Sequence, residues 1–168
     1  TLISLNLSGR QFSSNKIGDS GAASIAAALN MNTTLTNLDL RSNKIGDSGA
    51  ALIAAALNMN TILTSLYLGN NQIGNSGGIA ILNLIISTTI SNRSLKKVTT
   101  GVSWVDTTID VILNNKQSLN LSLNQINDSG AQAIASAFTN NNTLTSLSLG
   151  RNQIGDSGAQ ALAEALKT

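Results

Sequence analysis

The sequence contains no cysteine, no proline and no histidine, and aromatic residues make up only 2% of it: one Trp, one Tyr and two Phe. Without Cys there is no disulfide framework and no thiol nucleophile. Without Cys and His, the usual zinc ligand sets and Ser–His or Cys–His catalysis are excluded. The expectation is a chain that is not an enzyme, with no catalytic residue, no cofactor and no bound metal. Charge is sparse too, with 11% charged residues and a net charge of +2. That does not make a basic surface of the kind that binds nucleic acid. The longest apolar run, "GIAILNLII" (residues 78–86), contains Asn83 and is too short to span a bilayer. Thr1 stands inside a periodic pattern with no basic leader before it. The expectation is a cytoplasmic chain without a membrane segment. The missing initiator Met suggests a piece of a longer protein.

What remains is 42% hydrophobic and rich in Leu, Ile and Ala. A chain of 168 residues can build one substantial core, so 1–168 reads as a single domain. Self-similarity dominates it. The stretch "NTTLTNLDLRSNKIGDSGAALIAAALNM" (32–59) returns as "NTILTSLYLGNNQIGNSGGIAILNL" (60–84) and as "NTLTSLSLGRNQIGDSGAQALAEAL" (142–166). The Asn before the Lys/Gln-Ile pair falls at Asn15, Asn43, Asn71, Asn124 and Asn152, with spacings of 28, 28, 53 and 28. In "LTNLDL" the alternation of Leu38 and Leu40 about Asp39 suits a short strand with one face inward. "GAALIAAALN" reads as a helix whose apolar stripe is Ala51, Leu52, Ala55, Ala56 and Met59. One strand and one helix at constant length give about six units stacked in parallel, each completed by its neighbours.

"LTNLDLRSNKI" fits the pattern L-x-x-L-x-L-x-x-N-x-I and so resembles the leucine-rich repeat family. The 28-residue length and the "GAxxIAxAL" helix are similar to its ribonuclease-inhibitor-like type. The resemblance implies an α/β solenoid, a horseshoe with a parallel sheet on its concave face and the helices outside. It also implies that the Asn side chain bonds backbone groups in the turn after each strand. In function it implies a non-enzymatic module that binds a protein partner through the concave face. Two alternatives share the repeat: a GTPase-activating protein of the Ran type, and the sensing or autoinhibitory region of a nucleotide-binding immune-type receptor.

The 53-residue gap holds worn units at about 85–118. Laying "NRSLKKVTTGVSWV" on "NTILTSLYLGNNQI" predicts a strand in register near residues 95–100. Thr100 then replaces a core Leu, Ser103 replaces the marker Asn, and Lys116 falls where a Leu is expected. Four extra residues precede that strand. The following unit is seven short, which points to a shrunken helix "TTIDVIL". Trp104 takes the position of Gln72 and is expected at the rim.

Asp19, Asp47, Asp128 and Asp156, with Asn75, form one column. Each stands beside a Ser where a helix begins, so helix capping is expected rather than calcium binding. "GRNQIGDS" has the glycine spacing of a P-loop but an Asp in place of its Lys, which would repel phosphate. N-x-S/T triplets such as those at Asn32 and Asn141 are expected by chance in so polar a chain. "GRQFS" (9–13) reads as five extra residues after the first strand and carries Arg10 and Phe12, contact-prone types at a rim. On the strand face most variable positions are small and polar. Asp39, Arg41, Tyr67 and Lys97 stand out, and strands about 4.8 Å apart would bring them into one patch. These six residues are the candidate partner-binding set. The oligomeric state is not readable.

Overall fold

The structure, a computed structural model, describes residues 1–9, 15–89, 95–139 and 141–167. Within them six short strands alternate with six helices. The chain divides into two compact units, Thr1–Val102 and Ser103–Thr168.

The first unit holds β1 (Ser4–Asn6), α1 (Asp19–Met31), β2 (Asn37–Asp39), α2 (Asp47–Leu57), β3 (Ser65–Tyr67), α3 (Asn75–Thr89) and β4 (Lys97–Thr99). Its four strands form one parallel sheet in chain order. The register sets Leu5, Leu38, Leu66 and Val98 side by side. The pleat turns these inward and their neighbours outward. Leu38, Leu40, Leu66 and Leu68 are fully buried. Each such side chain contributes about 1.5–3 kcal/mol of hydrophobic stabilisation. The worn strand near 95–100 is present in register as β4, and Thr100 occupies the buried Leu position. Its hydroxyl accepts from the N–H of Val102 at 3.0 Å, which keeps the substitution satisfied. The chain then turns through Gly101 at φ +88, where a Cβ would stand 3.3 Å from Gly69 Cα.

The second unit holds α4 (Ser103–Leu113), β5 (Ser118–Asn120), α5 (Asp128–Phe138), β6 (Ser146–Ser148) and α6 (Asp156–Ala165). β5 and β6 pair in parallel, with Leu119 opposite Leu147.

Two expectations about the helices need correction. The inward stripe of α2 is Ala50, Ile53, Ala54 and Leu57, at positions i, i+3, i+4 and i+7. Ala51, Leu52, Ala55 and Met59 face out; only Ala56 of the expected set is buried. The short unit does not shrink its helix either. α4 has 11 residues, as α2 and α5 have. The missing length comes out of the loops. Three residues (100–102) join β4 to α4 where seven (40–46) join β2 to α2. Four (114–117) lead on to β5 where seven (58–64) lead to β3. The extra length before β4 is in part a longer helix: α3 has 15 residues against 11 in α2. Loops tolerate such changes because they bury less than the elements they join.

Trp104 is core, not rim. It is the second residue of α4 and only 3% exposed. Its ring atoms Cζ2 and Cη2 lie 3.5 Å from where a Cβ on Gly130 would stand. Because α4 starts at the position of the lost turn, Trp104 sits on a helix that packs inward. Lys116, in the expected Leu position, is exposed and pairs with Asp110.

Candidate functional site

Two Asn columns and one Asp column tie successive repeats together within each unit. Asn43 Nδ2 donates to the carbonyls of Leu7, Leu40 and Arg41, while its Oδ1 accepts from the N–H of Ile17. Asn71 and Asn152 repeat this bridge to Leu40 and Ile45, and to Leu121 and Ile126. The second column is that of Asn32, Asn60 and Asn141, which take two N–H groups in the turn before the strand. Asn60 also reaches back to the carbonyls of Leu29 and Asn32. The triplets at Asn32 and Asn141 are thus structural. The recurrence of Asn at 32 and 60 was the signal for it.

The Asp column caps helices, but not its own. Asp19 opens α1, and its Oδ1 accepts from Gly46 and Gly49 at the start of α2, at 2.7 and 3.0 Å. Asp47 does the same for Gly74 and Gly77 of the α3 end, and Asp128 for Gly155 and Gly158 of the α6 end. A carboxylate at the positive end of a helix dipole makes charge-assisted bonds. The glycine is needed because the carboxylate oxygen lies 2.6 Å from any Cβ placed at 49, 77 or 158. At α5 the arrangement changes: Trp104 fills the space beside Gly130, and Asn127 replaces the usual Gly to cap the helix itself.

Asp128 titrates below the usual range because the Ser157 hydroxyl and then the Gly155 and Gly158 N–H groups stabilise its charged form. A carboxylate depressed on folding adds stability that is fully present above its unfolded value and is lost as the pH falls through its folded value. Unfolding midpoints should therefore drop as the pH falls below about 4. Asp128→Asn, which keeps an acceptor but does not titrate, should make that drop shallower; an unchanged pH dependence would contradict the assignment.

The strand face of Thr1–Val102 carries the side chains that can engage a partner. Asp39 and Tyr67 are opposite each other, and Lys97 is opposite Ser65, diagonal to Tyr67. Arg41 Nη2 lies 2.6 Å from Asp39 Oδ2, and Nε reaches both carboxylate oxygens at 3.0 and 3.1 Å. The Arg41 N–H also donates to Asp39 Oδ1. Asp39 is held below the usual carboxylate range chiefly by the Arg41 guanidinium, against the opposing effect of burial. The pair in turn raises Arg41. The Arg41 Cζ stands 5.2 Å from the Tyr67 ring centre and the Lys97 Nζ 5.7 Å. Two cations thus flank one half-buried ring. Of the four, Asp39 is not a contact surface: it is 4% exposed. It acts through Arg41, whose side chain is 52% exposed.

Arg10 and Phe12 lie outside the described residues. The face of the second unit is plain: Ser118, Asn120, Ser146 and Ser148 are exposed and uncharged, and Ser122 and Ser148 share a hydrogen bond of 2.9 Å. Among the described residues no group of His, Cys, Asp and Glu could hold a metal, and no helix is long and apolar enough to cross a membrane.

These features define a parallel strand–helix repeat protein whose turns are held by an Asn ladder. The chain belongs to the leucine-rich repeat family: the family's "Leucine Rich repeat" model matches residues 11–26, 32–54, 60–82, 117–135 and 140–163, more than half of the sequence. No curated protein matches it in sequence. Among solved structures, Leiomodin-1 Actin-Binding Site 2 (ABS2) shares the fold, with a TM-score of 0.54 at 18% identity, over 98% of this chain and 80% of that one. Leucine-rich repeat arrays are in general protein-binding scaffolds without catalytic activity.

Proposed function

We propose that this protein is a protein-interaction module that takes its partner on the strand face of residues 1–102, centred on Tyr67. The observation that supports this is the Arg41–Tyr67–Lys97 stack, with Asp39 bracing Arg41 from beneath. Tyr and Arg are the residue types that carry most binding energy at interfaces. Here both are held in place before binding, which lowers the entropy cost of association. With Asp39 neutralising one of two cations, the patch has one positive charge to spare. A partner segment bearing a carboxylate beside an apolar or aromatic side chain suits it.

A peptide-display selection against the protein should enrich acidic segments. Tyr67→Ala and Lys97→Glu should each weaken a selected peptide by roughly tenfold or more while the circular dichroism spectrum stays unchanged. Selected peptides that bind both variants as well as the parent would refute the proposal.

A further inference from the structure

A helix on the outside of a repeat array turns one face to the strands and the other to solvent, and the outer face is ordinarily charged or polar. α1, α2 and α3 depart from this. Their only charged residues are Asp19 and Asp47, which begin α1 and α2 and each cap the next helix. Between Asp47 and Arg93 the sequence has no charged residue at all. α2 is the clearest case. Ala50, Ile53, Ala54 and Leu57 are buried on its inner side, while Ala51, Leu52 and Ala55 are exposed on its outer side. Leu52 is 46% exposed, and Met59, just past the helix, is 75% exposed. Met31 holds the same place in the repeat before, at the end of α1, and is 87% exposed. A helix that is apolar all round belongs in an interior.

The repeat itself does not impose this. The fourth and eighth residues after the one that begins the helix are exposed in α2, α5 and α6 alike. They are Ala51 and Ala55 in α2, but Gln132 and Ser136 in α5, and Gln160 and Glu164 in α6. Polar and charged side chains therefore fit those positions. α1 and α3 pack on either side of α2 and keep its pattern, with Ala23 and Ala27 in α1 and Ile79 and Asn83 in α3.

We propose that this outer helical face of residues 19–87 takes a second copy of the chain, face to face. Charge selects that occupant. An uncharged face offers a charged partner nothing to pair with, yet two copies of it meet without like-charge repulsion. It also lacks the Lys and Arg that hold interfacial helices to a lipid surface. The Ala side chains let helices of the two copies approach to about 8 Å, and the adaptable Met31 and Met59 fill the gaps. The size suffices. Helices of 13, 11 and 15 residues are about 20 Å long, and three abreast at 8–10 Å spacing are about 25 Å wide. Two footprints of about 500 Å² bury about 1,000 Å² together, the size of a specific but readily reversible contact. The contact is isologous and closes at a dimer. It leaves the Tyr67 face open on both copies and does not depend on the function proposed for it.

Sedimentation velocity over a concentration series tests this. The 168-residue chain should pass from monomer to dimer and form nothing larger. Ala51→Lys with Ala55→Lys, and separately Ala51→Glu with Ala55→Glu, should each weaken the dimer by roughly tenfold or more, because each sets like charges against one another. Both variants should keep the parent's circular dichroism spectrum. Their equimolar mixture should dimerise again, since the facing charges are then opposite. Gln132→Lys with Ser136→Lys on α5, and Tyr67→Ala on the strand face, should leave the dimer intact. A chain that stays monomeric at millimolar concentration, or that grows beyond a dimer, would overturn the proposal. So would a dimer that either charged variant retains, a mixture of folded charged variants that stays monomeric, or a dimer lost in the α5 or Tyr67 variant. A monomer that co-sediments with phosphatidylcholine vesicles would assign the face to lipid instead and overturn it equally.

Discussion

Alanine at Trp104 should lower the stability of the Ser103–Thr168 unit by about 3–5 kcal/mol, the cost of deleting a large buried aromatic. Trp104 is 3% exposed and lies against Gly130, in the space that a carboxylate fills beside Gly49, Gly77 and Gly158. Its removal leaves both a cavity and an unsupported start to α5. Ile126, which shares the Gly130 position with the indole, is already fully buried. Trp104→Phe should recover part of the loss by filling part of the volume. Chemical unfolding followed by circular dichroism measures both. A loss under about 1 kcal/mol for the alanine variant would place the indole outside the core.

Alanine at Asn43 should cost roughly 2–4 kcal/mol by a different route, since it creates little cavity and leaves backbone groups unpaired at about 1–3 kcal/mol each. The side chain serves three carbonyls and one N–H, drawn from two successive repeats, and is 8% exposed. Water cannot easily replace it there. Asn43→Asp is the sharper variant: it keeps the acceptor for Ile17 but turns a carboxylate toward the Leu7 and Leu40 carbonyls. It should therefore be no milder than alanine at neutral pH. If Asn43→Asp matched the parent in a urea titration, the donor half of the bridge would carry no weight.

Strand positions and their register were legible because the Leu spacing within a repeat and the 28-residue spacing between repeats agree. β4 came out in place despite its worn turn for that reason. The helix faces were harder to read. In α2 the buried Ala50 and Ala54 sit next to the exposed Ala51 and Ala55, and a methyl group favours neither side. Only Ile53 and Leu57 mark the inner face. The Asp column was visible as a column, but its target was not. Its hydrogen bonds span 27 and 30 residues to a neighbouring helix, whereas the rule for caps looks within one helix. Trp104 was misplaced because alignment assumed a turn where the chain had already begun α4. The Asp39–Arg41–Tyr67–Lys97 cluster follows from the strand columns. The burial of Asp39 beneath Arg41 does not, since it depends on how one long side chain folds over.

The direction of the aspartate bonds gives the chain a polarity. Asp19, Asp47 and Asp128 each belong to the helix before the one they cap. As they leave the ribosome, α2, α3 and α6 thus find their caps already made upstream, and folding there can follow synthesis one repeat at a time. Trimming shows the same asymmetry. Removing a repeat from the downstream end takes no cap from the helices that remain. Removing one from the upstream end strips the cap from the next helix in line.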